Sequence, residues 1–213
     1  MINERRSTLF SGGKDSLYAT YLAEKQGITV NHLITLLPTL TQPSPHAKNI
    51  EALKLVAEST GKHLTIVDFR KDNAFIETLG NLEVDALVAG DIYVEPHRRG
   101  LEDVCAKTGL KLLEPNYGRD TNELFHEIFN SGFTALITGV NIERMGEEFL
   151  GYSINRDTTT DFLSKIGTVD PLGENGEYHT LVLECPLYTK SFKAKSMEKN
   201  VEKSMAYMVV SVE

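Results

Sequence analysis

At 213 residues, 41% of them hydrophobic and 24% charged, the chain has the size and composition of an ordinary globular protein, enough for one α/β domain with at most a small appendage. A formal net charge of −8 argues against broad, sequence-independent binding to nucleic acid, although it leaves room for a local basic patch. Cys105 and Cys185 lie far apart and form no CxxC pair, which argues against a disulfide framework or a structural zinc site and suits a reducing compartment.

The first expected elements frame the most informative stretch of the chain. A short apolar run, Thr8-Leu9-Phe10, reads as a strand, and Leu17-Tyr18-Ala19-Thr20-Tyr21-Leu22-Ala23 repeats at helical spacing until Gly27. Between them lies Ser11-Gly12-Gly13-Lys14-Asp15-Ser16. Adjacent glycines let backbone N–H groups converge where a Cβ would obstruct, and the helix N-terminus adds partial positive charge. With the Ser11 and Ser16 hydroxyls and the Lys14 ammonium, the turn is an anion cradle sized for phosphate or pyrophosphate. It is not a Walker A loop, because Asp15 follows Lys14 where that motif needs a hydroxyl residue.

Further along, strands are expected at 28–37, 63–69, 86–89, 112–113 and 133–140. Helices are expected at 47–59, 74–82, 95–107 and 122–130, with Gly61, Gly109 and Gly132 as stops. This alternation predicts a parallel sheet with helices on both faces. Past residue 140 the rhythm changes. One more helix is expected within 149–166, followed by strand-forming runs at 178–188 and 206–212. The predicted organisation is an α/β domain carrying the anion turn at 1–140 and a smaller mixed α+β region at 141–213. No apolar run approaches a membrane span, and residues 1–6 lead into a strand without a signal-peptide core, so a cytoplasmic protein is expected. Assembly with copies of itself stays open.

In parallel sheets ligands gather beyond the C-terminal strand ends, which here are the turns at 11–16, 38–49, 68–72, 90–99 and 139–144. Asp91 follows the strand at 86–89, where its carboxylate is placed to hold Mg²⁺ or orient a nucleophile. His97, Arg98 and Arg99 follow, and arginine forks suit phosphate or carboxylate. The competing account makes Asp91 a helix cap and the arginines a solvated face. The lysines at 190, 193, 195, 199 and 203 are interrupted by acidic residues and read as solvated surface. A second polar group is Asp170-Pro171-Leu172-Gly173-Glu174-Asn175-Gly176-Glu177-Tyr178-His179. Its carboxylates bracket Asn-Gly, a turn signal in itself, and could bind ammonium, a metal or a cationic substrate.

Ser-Gly-Gly-Lys-Asp-Ser resembles the PP-loop of the N-type ATP pyrophosphatases, which split ATP between its α and β phosphates and adenylate an acceptor. Taken with Gly90-Asp91-Ile92, the "VCAKTGLKLLEP" stretch and "GENGEYHTLVLECPLY", the order of motifs is similar to the diphthine–ammonia ligase family over about residues 7–188. That resemblance implies ATP and Mg²⁺ as cofactors and ammonium as co-substrate. It also implies elongation factor 2 bearing diphthine as protein substrate, with AMP and pyrophosphate as products. It assigns Ser11, Gly12, Gly13, Lys14, Asp15 and Ser16 to the phosphates of ATP, with Asp15 as Mg²⁺ ligand, and puts His46 and Asn49 near the nucleotide. Lys14, Asp15, Asp91, Glu174 and Glu177 would be catalytic, and His97, Arg98, Arg99, Asn175, Gly176 and Tyr178 would bind substrate. Glu174, Gly176 and Glu177 match the family's Glu-Gly-Gly-Glu-type motif, with Asn175 departing at its second position and His179 standing where many members are acidic. Two alternatives are a PP-loop enzyme acting on tRNA, which calls for site cysteines or a basic domain, and an ATP-binding sensor without turnover.

Overall fold

The computed structural model describes residues 5–37, 44–71 and 73–213. Positions 38–43 of the turn expected at 38–49, and position 72 of that at 68–72, lie outside them. In chain order the elements begin β1 (Arg6–Leu9), α1 (Lys14–Lys25), β2 (Val30–Leu37), α2 (Pro45–Lys48), α3 (Ile50–Glu58) and β3 (His63–Asp68). They continue with α4 (Ala74–Asn81), β4 (Ala86–Val88), α5 (Glu95–Thr108), β5 (Lys111–Leu113), α6 (Thr121–Asn130) and β6 (Thr134–Asn141). Last come β7 (Ser153–Ile154), α7 (Thr159–Lys165), β8 (Tyr178–Glu184), β9 (Ala194–Glu202) and β10 (Met205–Val212). Among the described residues no helix is long and apolar enough to cross a membrane.

The chain folds as two compact, interleaved units. Of the described residues, 5–11, 15–37, 62–71 and 73–118 make the first, and 12–14, 44–61 and 119–213 make the second.

In the first unit the strands among the described residues lie in the order β3-β2-β1-β4-β5, all parallel. Successive residues of β4 point to opposite faces. Leu87 and Ala89 join Phe75 and Leu79 of α4 and Leu101 and Cys105 of α5 in one core. Val88 joins Ala19 and Ala23 of α1 in another. Helices therefore cover both faces, as the alternating pattern predicts. Pro96 sits in the first turn of α5, where its missing N–H does no harm, and Gly109 ends the helix at φ +72°.

In the second unit the described strands form an antiparallel sheet with β6 at its centre. The buried stretch Ala135–Val140 pairs with β8 along one edge and with β7 and then β10 along the other, and β9 closes the path beyond β10. Helix α6 is capped by Asp120, whose carboxylate accepts from the Asn122 and Glu123 amides at 3.0 Å each. Its Phe125 and Phe129 enter an aromatic core with Phe149, Phe162 and Tyr178. The Phe125 and Phe162 rings stack at 5.7 Å.

Several elements differ from expectation. The strand at 133–140 exists, but it belongs to the antiparallel sheet. The helix expected at 47–59 starts earlier, behind the Ser44 cap, and is broken at Asn49 into α2 and α3. The helix expected within 149–166 shrinks to α7, preceded by a 3₁₀ turn at Glu147–Phe149 and by β7. Gly151 there takes φ +84°, and the Asn155 carboxamide accepts from the Asp157 and Thr158 amides, turning the chain instead of propagating a helix. The strand expected to reach residue 188 stops at Glu184, just before Cys185 and Pro186.

Candidate functional site

In the first unit, β1 lies between β2 and β4, where the strand order reverses, and the turns that follow β1 and β4 carry Asp15, Ser16 and Gly90. Ser11 and Ser16 face each other across the turn, Oγ to Oγ at 3.1 Å, and the Ser11 amide reaches Ser16 Oγ at 3.3 Å. Asp15 and Ser16 lie in the first turn of α1, where backbone N–H groups have no helical partner. A Cβ at Gly90 would come within 2.7 Å of the Asp15 carbonyl oxygen and 2.8 Å of the Ser16 nitrogen, so only glycine fits there.

Asp91 is not the cap of α5, a position Val94 occupies. Its carboxylate instead meets His97 Nδ1 at 3.1 Å. Arg98 Nε lies 3.0 Å from Glu102 and 3.4 Å from Glu114, and its guanidinium stacks 4.3 Å from the centre of the Tyr117 ring. Arg99 is exposed and pairs with Glu95 at 3.0 Å. The structure thus gathers Asp91, His97 and Arg98 at the ends of β4 and β5, with Arg99 turned outward on α5.

In the second unit Gly12 adopts φ +72°, with Leu181 and Leu53 against the place a side chain would fill, and its carbonyl accepts from the Val182 amide at 2.8 Å. Gly13 is buried. Lys14 is only 2% exposed. Its amide donates to Thr180 Oγ1 at 3.1 Å, its ammonium donates to the Leu172 carbonyl at 2.6 Å, and Nζ lies 4.8 Å from the centre of the Tyr178 ring. The loop's one cation is therefore held by the 170–178 turn, which carries the second constellation.

That turn is built on carboxylates. Asp170 accepts from the Leu172 amide at 2.9 Å and from the Thr121 hydroxyl at 2.8 Å. Glu177 is buried, and its two oxygens accept from the Asn175 amide and side chain at 2.9 and 3.0 Å. Gly176 takes φ +78° and Gly173 φ +72°, the latter pressed against the Tyr178 ring. Tyr178 donates its hydroxyl to the Pro171 carbonyl. Glu174 is half-buried beside exposed Asn175.

His46 and Asn49 also lie in this unit. The His46 ring meets His179 edge to face at 5.2 Å. Asn49 is buried and its amide is committed to the protein itself. It donates to the Pro45 and Met208 carbonyls at 2.9 and 2.7 Å, and its oxygen accepts from the Val210 amide at 2.7 Å.

Two residues in the turn after β5 were not singled out in the sequence: Glu114, inside the VCAKTGLKLLEP stretch, and Asn116 just beyond it. Glu114 Oε1 and Asn116 Oδ1 are buried without a hydrogen-bond partner among the described residues. Burial pushes the Glu114 carboxyl's pKa up, against the pull of Arg98. The rule that directed attention to the other strand ends applies equally to β5 and would have flagged both.

A five-stranded parallel sheet with helices on both faces and a glycine-rich turn after its first strand, where strand order reverses, defines a doubly wound α/β protein. More narrowly, the chain belongs to the diphthamide synthase family: its N-terminal domain model matches residues 4–112 and its C-terminal domain model residues 120–212. The diphthine–ammonia ligase of Danio rerio is 27% identical over 238 aligned positions, covering 95% of this chain and 91% of that protein. Its Homo sapiens counterpart is 26% identical, covering 97% and 89%. That of Schizosaccharomyces pombe reaches 33% identity over 109 residues, but those are 51% of this chain and 18% of a longer protein. A solved structure, the U34-tRNA thiolase of Methanococcus maripaludis, overlaps 60% of this chain and 57% of its own at a TM-score of 0.40 and 19% identity.

Proposed function

We propose that this protein is an AMP-forming ligase that uses ATP to amidate diphthine with ammonium. The family membership and the two full-length ligase relatives supply the reaction class. The observation in the fold that supports it most directly is Lys14, a buried cation in the glycine turn whose ammonium donates to the Leu172 carbonyl, two residues before Glu174. One charge then serves both phosphate chemistry and the segment to which the family likeness assigns the acceptor.

In this reading the acceptor carboxylate attacks the α-phosphorus of ATP, pyrophosphate leaves, and ammonia displaces AMP from the acyl-adenylate. Lys14 and the first-turn N–H groups of α1 offset charge on the departing pyrophosphate. Glu177 stiffens the turn by holding both nitrogens of Asn175, and Glu174 takes a proton from ammonium. Among the described residues no group of three or more His, Cys, Asp or Glu side chains could hold a metal alone. This donor set fits Mg²⁺, which is commonly bound through nucleotide phosphates with one or two carboxylates. Asp15 or Asp91 would provide those, and the ion would neutralise phosphate charge. Elongation factor 2 carrying diphthine is the proposed protein substrate.

The test is to incubate the protein with Mg-ATP, ammonium and diphthine-bearing elongation factor 2 and to resolve the nucleotides. AMP and pyrophosphate that appear only with all components present are expected, and ADP would refute α–β cleavage. Lys14→Ala is expected to lower turnover by a factor on the order of 10² or more with its circular dichroism unchanged. Wild-type turnover in that variant would remove the loop from the mechanism.

A further inference from the structure

The turn after β5 holds a side chain whose geometry fits a single purpose. Asn116 is fully buried, and its Nδ2 donates to the Asp15 carbonyl at 3.1 Å and to the Gly90 carbonyl at 3.3 Å. These two carbonyls belong to the first turn of α1 and the exit of β4, which approach so closely at Gly90 that no side chain fits between them. Two acceptors that share so small a space need two donors in a fork, and a carboxamide NH₂ has that shape at that size. The orientation of the amide is fixed by the same fact, because a flipped side chain would set its oxygen against two carbonyl oxygens. Nothing in this arrangement resembles core filling, which a leucine would do without burying polar atoms.

We infer that Asn116 is a positioning residue of the phosphate-binding turn. It ties the first turn of α1 to the end of β4 and so sets the direction in which the Asp15 and Ser16 N–H groups face. The inference rests on the reading of residues 11–16 as the ATP phosphate site. It adds to that reading a residue from a strand end that carries no glycine motif. Nucleotide affinity and turnover should depend on the amide's two donors, and ammonium affinity should not.

Two substitutions separate this role from simple packing. Asn116→Leu keeps the branching of the side chain and removes both donors. With both buried carbonyls left without a donor, the first turn of α1 loses its tie to β4, so ATP affinity and kcat should each fall about tenfold or more, with KM for ammonium within about twofold of wild type. Asn116→Ser keeps one shorter donor in the same place, so its ATP affinity should fall severalfold and lie between those of wild type and the leucine variant. Calorimetry with Mg-ATP on variants of native circular dichroism reads both.

A wild-type protein that fails to bind ATP would overturn the phosphate-site reading and this inference with it. Wild-type binding accompanied by an unaffected leucine variant, or by a serine variant that binds ATP as wild type does, would overturn the role of Asn116 alone. Should the leucine variant fail to fold, the serine variant decides by itself.

Discussion

His179 on β8 shows how strongly one packed residue responds to its surroundings. Packing around its ring, then the neighbouring His46 and the Lys14 ammonium, push its pKa down to about 3. The folded chain keeps this imidazole neutral where the unfolded chain protonates it near its ordinary value of about 6.5. Between those values the unfolded state holds the extra proton. The stabilisation is complete above about pH 6.5 and is lost progressively as pH falls toward 3, with a slope of at most about 1.4 kcal/mol per pH unit. Urea unfolding at pH 7 and pH 5 should show that loss, and His179→Gln should show a smaller one. An identical pH dependence in the variant would clear His179 of the effect. The strand, glycine turn and helix that carry Lys14 and the two serines were legible in the sequence, because an apolar run, adjacent glycines and a helical repeat follow one another without a gap. Asn116 was legible only by its place beyond the end of β5, not by its contacts. Its partners are the backbone carbonyls of residues 15 and 90, and no local pattern announces that two distant carbonyls will converge on a third strand end.

At the scale of elements, Asn49 joins a helix break to a strand. Its carboxamide pairs with the backbone of α2 on one side and with the Met208 carbonyl and Val210 amide of β10 on the other. Asn49→Ala should therefore cost about 2–4 kcal/mol of stability, since buried strand groups lose partners and gain none, while ATP affinity changes less than about twofold. Chemical denaturation and calorimetry on the same preparation measure both quantities. Unchanged stability with lost ATP affinity would instead return Asn49 to the nucleotide site that the family likeness implied for it. Elements with their own end signals were readable from sequence, such as α5 between Pro96 and Gly109, or α6 behind Asp120. Strand β9 was not, because Ala-Lys-Ser-Met-Glu-Lys-Asn-Val-Glu alternates charge with little apolar content. That composition is what an edge strand needs to discourage further pairing, so its function hides its identity. The turns at Gly151 and Asn155 were hidden for a related reason: side chain-to-backbone bonds redirected an otherwise helical run.

Over the whole molecule, chain order and packing order disagree. The family's two sequence domains meet between residues 112 and 120, yet the second compact unit also holds residues 12–14 and 44–61 from the first sequence domain. Within that unit α3 buries Ala52, Leu53, Val56 and Ala57, and it packs against β8 and β10. The Val182 amide of β8 relies on the Gly12 carbonyl. A fragment of residues 119–213 would expose the apolar surface that α3 covers and leave that β8 amide without its partner. The first unit is different, since every segment it uses ends by residue 118. Separately produced fragments should thus behave asymmetrically. Residues 1–118 should retain cooperative unfolding, while residues 119–213 should lack it and aggregate, as exposed apolar sheet surface does. Adding a peptide of residues 44–61 should raise the solubility and order of the C-terminal fragment, because it restores the missing helices rather than any active-site group. Near-UV circular dichroism and sedimentation follow each step. A cooperative, soluble 119–213 fragment would show that α2 and α3 merely decorate the antiparallel sheet. The interleaving would then have no energetic consequence.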